Sequence, residues 1–179
     1  MEPQLTSFPS ARALAAALGP LPSPLWIVDV PRQRLGVWTQ DHCAGVFPVS
    51  TSRFGLGNRP DSLHTPLGLH RVTAVIGRGT PPGQPFVSRE PVGEPLSVWE
   101  RGEGDVILSR VLPLQGLVPG FNGHSFARHI YLHGTNQEEK LGTPASHGCI
   151  RLANRDIIAL ADAIGECLPH VWIGSVGSF

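Results

Sequence analysis

A thiol and two imidazoles converge on one short region of this chain. His133 closes the run Ile130-Tyr131-Leu132-His133-Gly134-Thr135, and His147 and Cys149 sit together in Pro144-Ala145-Ser146-His147-Gly148-Cys149-Ile150-Arg151-Leu152. A cysteine that follows a glycine in a polar, loop-like run is placed for access rather than for packing, which is where a nucleophile belongs. Such a thiol needs a base to become a thiolate near neutral pH, and His133 and His147 are both candidates. On spacing alone a buried structural thiol at Cys149 is an even alternative. His147 reads equally as a proton-transfer group or as a ring that steadies the loop. Arg151 has two readings as well. It could form a salt bridge with Asp156 or Glu166, or supply a guanidinium that holds the loop or receives a substrate carboxylate bidentately.

Positioning these groups falls to strands and turns. Ala127 to His133 alternates, with Ile130 and Leu132 on one face and His129, Tyr131 and His133 on the other, so His133 is expected at a strand end. The polar connector Gly134 to Pro144 leads to Cys149. Beyond it, Asn154 is expected to cap a helix over Arg155 to Ile164, with Asp156 in its first turn and Gly165 as its stop. Upstream, Leu25 to Val30 and Arg34 to Thr39 read as a hairpin about Pro31-Arg32-Gln33. Further strands are expected at Cys43 to Ser50, Gly68 to Ile76, Phe86 to Arg89, Leu96 to Trp99, Val106 to Leu114 and His170 to Gly174. The loop Thr51 to Pro66 could lie over the site. Ala11 to Leu18, with Ser10 as cap and Gly19-Pro20 as stop, predicts one short helix in an N-terminal extension over 1–24, ahead of a catalytic domain over 25–179.

A chain of 179 residues with 21 Gly, 18 Pro and few charges favours a mostly β fold of short strands joined by turns. The formal net charge of zero supplies no basic field for nucleic acid or anionic lipid, so neither is expected as a partner. Cys43, Cys149 and Cys167 are an odd set at irregular spacing, unlike a disulfide framework or a metal knuckle, and the default for Cys43 and Cys167 is core packing. His42, His64, His70, His124, His129 and His170 show no ligand spacing, so no metal and no cofactor are expected. Glu2 and the short apolar run Ala13 to Leu18 make a poor signal peptide, and no segment approaches the ~20 apolar residues of a membrane span. The expectation is a soluble, cytoplasmic protein with no obligate protein partner.

The motif Ser146-His147-Gly148-Cys149-Ile150-Arg151-Leu152, preceded by His133-Gly134-Thr135, resembles the L,D-transpeptidase catalytic domain, the YkuD family. Phe47-Pro48-Val49-Ser50-Thr51 and His64-Thr65-Pro66-Leu67-Gly68 are similar to the family's strand ending in Ser-Thr and to its Thr-Pro-x-Gly turn. Asn154, Asp156 and the helix after them also fit. The resemblance spans roughly residues 25 to 174, and Ser52 departs from it where the family usually has Gly.

That resemblance implies a β-sandwich-like fold with a few short helices, one of them after the catalytic loop. It also implies a cysteine acyltransferase acting on peptidoglycan stem peptides. Cys149 matches the nucleophile that attacks the carbonyl between the L-centre of diaminopimelate and terminal D-alanine, giving a thioester. His133 matches the base, oriented by the Gly134 carbonyl, and the amides of His147, Gly148 and Cys149 match the oxyanion hole. Ser146, Thr135, His64 and Arg151 are expected on the substrate side. Water as acceptor gives an L,D-carboxypeptidase that trims tetrapeptide to tripeptide in murein recycling; an amine gives a cross-linking L,D-transpeptidase. Ser109 to Leu117 and Gly120-Phe121-Asn122 look similar to the cytoplasmic carboxypeptidase branch, which favours the first. A catalytically idle muropeptide-binding sensor is the alternative from another class, and it has no need of a thiol and a base together.

Overall fold

The computed structural model describes residues 23–39, 42–97 and 104–175. The predicted helix at Ala11 to Leu18 lies outside them, as does the second half of the predicted strand Leu96 to Trp99, whose first two residues form no strand.

Among the described residues ten strands and one α-helix follow in order: β1 (Leu25–Asp29), β2 (Arg34–Thr39), β3 (His42–Pro48), β4 (Gly68–Val72), β5 (Pro85–Val87), β6 (Glu90–Pro91), β7 (Ile107–Gly116), β8 (Tyr131–Thr135), β9 (Ile150–Leu152), α1 (Asn154–Ala163) and β10 (His170–Gly174). The mostly β expectation holds. β1 and β2 form the predicted antiparallel hairpin, and β1 lies between β2 and β10, buried along its whole length. A strand covered on both faces needs a continuous apolar run, which Leu25-Trp26-Ile27-Val28 provides.

The sheet runs β3-β2-β1-β10-β4-β7, and the long β7 carries it round the corner. The C-terminal end of β7 pairs with β4, while its N-terminal part pairs with β5 and β8. β9 then pairs in parallel with β8. The curl closes where Ser50, just past β3, exchanges two backbone hydrogen bonds of 3.0 Å with Arg151 of β9. Inside lies the main core, with Trp26, Val28, Leu35, Val72, Leu112, Leu132, Ile150 and Ile173 among its members. Helix α1 adds Ile157 and Leu160 to this core and buries Ala161 beside them, one face of a helix at three- and four-residue spacing.

The N-terminal end of α1 differs from expectation. Ala153 holds the N-cap position and Asn154 is the first helical residue. The Asn154 side chain instead donates to the Thr135 carbonyl and accepts from Ser109 Oγ, and its amide donates to Glu138 Oε1 at 2.8 Å, so a distant carboxylate covers the positive helix end. At the other end Ile164 is the C-cap with Gly165 directly after it, as expected, and Arg78 Nη2 donates to the Ala161 and Ile164 carbonyls, a cation at the negative end of the helix. Of the other cysteines, Cys43 packs against the Leu25, Ile27 and Trp38 cluster as expected, whereas Cys167 is exposed, because the chain leaves α1 along the surface before β10 begins. Among the described residues no helix is long and apolar enough to cross a membrane.

Candidate active site

Parallel pairing of β8 with β9 sets Leu132 opposite Ile150 and His133 opposite Arg151. Side chains alternate across strands, so Leu132 and Ile150 point into the core while Tyr131, His133 and Arg151 share the other face, and Cys149 enters β9 on that same face. β8 begins only at Tyr131, since His129 turns the chain with a left-handed φ of 56°, and it runs on to Thr135, so His133 is its middle residue rather than its end. Cys149 packs with Phe86, Val111, Tyr131 and Ile76 in an apolar cluster separate from the main core.

His133 is almost wholly buried, and its Nδ1 donates to the Gly134 carbonyl at 2.7 Å. That bond fixes the neutral tautomer with the proton on Nδ1 and leaves Nε2 as a lone pair. Burial holds its pKa below the ordinary value, countered by the Gly134 carbonyl and Asp105. For Cys149, burial pushes the thiol up to about 12, against the lowering effects of the Tyr131 amide, Arg151 and Arg128. The resting thiol donates to the His129 carbonyl at 3.2 Å. Burial thus favours the neutral form of both groups.

His147 is placed differently. Its Nε2 accepts from Arg53 Nη2 at 2.9 Å, its Nδ1 lies 3.5 Å from Asp105 Oδ2, and its half-exposed ring lies 5.7 Å from that of Phe54. With both nitrogens engaged it steadies the loop and has no lone pair to offer a thiol. Gly148 has a φ of 131°, and a Cβ there would meet Ile130 Cδ1 at 3.3 Å and the Leu63 and His64 carbonyls. Its amide donates to Ser146 Oγ, so the expected trio of oxyanion donors is reduced. The His147 and Cys149 amides find no protein acceptor among the described residues and remain for a developing oxyanion.

Three of the four expected substrate contacts take other places. Ser146 is fully buried, its hydroxyl donating to the Cys149 carbonyl at 2.6 Å, and it builds the loop rather than facing a ligand. Thr135 is likewise buried, with Oγ1 accepting from the Gln137 amide. Arg151 pairs with neither Asp156 nor Glu166: its buried guanidinium donates to Asp105 Oδ2 at 2.5 Å and to Gln137 Oε1 at 3.1 Å, while Asp156 meets the exposed Arg155. His64 borders the site through its backbone carbonyl, which accepts from Arg128 Nη2 at 2.6 Å, with its ring against Gly57.

The loop over 51–66 does cross this region. Thr65 Oγ1 donates to the Gly148 carbonyl and accepts from the Ser52 amide, both at 2.9 Å, and Ser52 bridges to Ser146. Ser52 uses its hydroxyl to donate to the Leu63 carbonyl at 2.6 Å, closing the loop on itself. Sequence reasoning missed Arg53, Arg128 and Asp105. It also missed the Arg89, Tyr131 and His129 chain beneath the thiol, in which Arg89 Nε donates to the Tyr131 hydroxyl and that hydroxyl meets His129 Nδ1 at 2.7 Å. The alternation of His129 and Tyr131 was the only sequence signal for that chain. Among the described residues no group of three or more His, Cys, Asp or Glu could hold a metal ion.

The L,D-transpeptidase catalytic domain (YkuD) matches residues 23–171. An L,D-transpeptidase YkuD of Bacillus licheniformis is 36% identical over 73 residues, covering 41% of this chain and 44% of its own length. Among solved structures, an L,D-transpeptidase from Mycobacterium smegmatis superposes with a TM-score of 0.55 at 16% identity, covering 84% of this chain and 58% of that one. L,D-transpeptidase 3 from Mycobacterium tuberculosis, in complex with a faropenem-derived adduct, gives 0.54 at 17%, covering 84% and 60%. This chain thus spans about half the length of those relatives, and at such identities the two structures speak to the fold.

Proposed function

Because this chain belongs to the L,D-transpeptidase catalytic-domain (YkuD) family, we propose that it acts on peptidoglycan stem peptides through Cys149, as an L,D-carboxypeptidase that cuts terminal D-alanine from a tetrapeptide. The observation that carries the reading is the shared strand face. Cys149 and His133 project from neighbouring parallel strands, with His133 Nδ1 locked on the Gly134 carbonyl and Nε2 left as a base. On substrate binding the thiol leaves the His129 carbonyl and gives its proton to His133 Nε2 as the sulfur–carbon bond forms. The carbon–nitrogen bond to D-alanine then breaks, and His133 returns the proton to the leaving amine. Water closes the cycle: its oxygen bonds to the acyl carbon as His133 takes its proton, the carbon–sulfur bond breaks to release the tripeptide carboxylic acid, and His133 returns the proton to Cys149.

Water as acceptor is supported by the way the thiol is walled in. Arg128 ties the turn before β8 to the Gly57 and His64 carbonyls and approaches Ser62 Oγ, while Gly148 packs under the Leu63 and His64 carbonyls. A water molecule enters such a site more easily than a second stem peptide. The names of the relatives favour the second reading, an L,D-transpeptidase that uses an amine acceptor. The proposal includes a cytoplasmic setting, checked by fractionating cells and locating the protein. Incubation with tetrapeptide muropeptide, followed by mass spectrometry, separates the two activities: tripeptide and free D-alanine are expected as dominant products. Dimers joined through two diaminopimelate residues as the main product would overturn the carboxypeptidase reading, and an inert protein would overturn both.

A further inference from the structure

Asp105 lies just ahead of β7, in a stretch with no sequence pattern to recommend it, yet its carboxylate meets two residues of the catalytic loop. Oδ2 accepts from Arg151 Nη2 at 2.5 Å and lies 3.5 Å from His147 Nδ1, whose Nε2 is held in turn by Arg53. Arg151 is buried, sits opposite His133 and follows Cys149 on the same strand face. The chain Arg53, His147, Asp105, Arg151 thus grips the loop on both sides of Cys149. A buried ion pair adds little stability compared with an apolar replacement, so a role in placement accounts better for this one.

We propose that Asp105 is a positioning residue for acyl transfer: through Arg151 and His147 it fixes the catalytic loop so that Cys149 faces His133, and its charge balances the cations around the thiol. Those charges come from every neighbouring element. Arg151 lies on β9, Arg128 in the turn before β8, His147 and Arg53 on the two loops, and His133 on β8. Without the carboxylate, Arg151 and Arg128 act on the site uncompensated. Thiolate formation becomes easier, and protonation of His133, which must carry the proton to the leaving amine, becomes harder. The thiol is then more reactive to an alkylating agent and the enzyme slower; unfolding of the loop would also free the buried thiol, and the double variant Asp105→Asn with Arg151→Gln, slow but with a wild-type alkylation midpoint, tells the two apart.

This inference rests on Cys149 being the nucleophile, and its test is read in two ways so that the two ideas fail separately. Because Cys167 is exposed, all variants are made with Cys167→Ser. Iodoacetamide alkylation of Cys149 is followed against pH by peptide mass spectrometry, and kcat and KM for D-alanine release are measured alongside. Asp105→Asn is expected to lower the alkylation midpoint by ~1 pH unit, as loss of a neighbouring negative charge does. It should also reduce kcat ~10²-fold with little change in KM. Asp105→Glu should restore most of both. Should Asp105→Asn fail to fold, Asp105→Asn with Arg151→Gln leaves no unpaired buried charge; it is expected to fold, to keep a wild-type midpoint and to stay slow. An unmoved midpoint in folded Asp105→Asn, or wild-type kcat in either variant, overturns the proposal. A wild-type protein that alkylates at Cys149 but releases no D-alanine refutes the function instead, and the midpoint shift still judges Asp105.

Discussion

Gly148→Ala tests the geometry of the loop with a single methyl group. At a φ of 131° residue 148 occupies backbone space that is essentially reserved for glycine, at about 1–3 kcal/mol for any other residue. The contacts a Cβ would make add little, because Ile130 Cδ1 at 3.3 Å is the end of a flexible side chain and the Leu63 and His64 carbonyls, at 3.6 and 3.5 Å, are at ordinary contact distance. Taking about 2 kcal/mol and about 2–4 °C per kcal/mol for a chain of this size, Tm should fall roughly 4–8 °C. Part of the strain can be relieved by rotating the peptide, which breaks the 2.9 Å bond from Thr65 Oγ1 to the Gly148 carbonyl and swings the Cys149 amide and sulfur out of line. A displacement of about 1 Å lowers rate on the order of 10²-fold. Gly142→Ala is the matched control: its φ of 88° is also left-handed, nothing lies within 4 Å of its Cβ position, and it stands in the connector away from the thiol. Thermal melts and D-alanine release on both variants decide. Comparable destabilisation with activity lost only at Gly148 is expected; a fully active Gly148→Ala, or equal activity loss at Gly142, refutes the reasoning.

Two further outcomes follow from the burial of histidines. His70 is buried between the Gly68 carbonyl and Ser125 Oγ, and burial lowers its pKa from 6.5 to about 4. Between those values the unfolded chain takes up a proton that the folded one refuses, so stability present above pH 6.5 falls as pH drops toward 4, by about 3 kcal/mol. Denaturant titrations at pH 7 and pH 4 should show that loss in the wild type and much less of it in His70→Gln. His133→Ala should lose ~10²- to 10⁴-fold in kcat/KM as a general base does, and His147→Ala should lose less because its ring nitrogens serve Arg53 and Asp105; a larger loss at His147 would reverse the two roles.

What could be read in the sequence was what is local. Leu25-Trp26-Ile27-Val28 and His170 to Gly174 announce strands because their apolar runs are bounded by turns, and the alternation through Ile130, Tyr131, Leu132 and His133 placed the imidazole on the correct face. β9 escaped notice: three residues carry no periodicity, and its existence depends on a parallel partner and on the Ser50 bridge, both distant in the chain. Asn154 was misread as a cap for the same reason. Asparagine before an apolar helix ordinarily caps it, but here Thr135, Ser109 and Glu138 from elsewhere in the chain compete for that side chain and win. Asp105 and Arg53 lie outside any motif and gain meaning only when the curl of the sheet brings them to His147 and Arg151.

The most direct measurement is D-alanine release from tetrapeptide muropeptide by wild type and Cys149→Ala side by side, with melting curves on both. Cys149 stands at a loop end and packs only part of a satellite cluster, so losing its sulfur leaves a small cavity and a folded protein. Wild type is expected to release D-alanine and Cys149→Ala to release none, with Tm values within a few degrees. Release by Cys149→Ala at a rate near that of wild type would contradict the account at its centre.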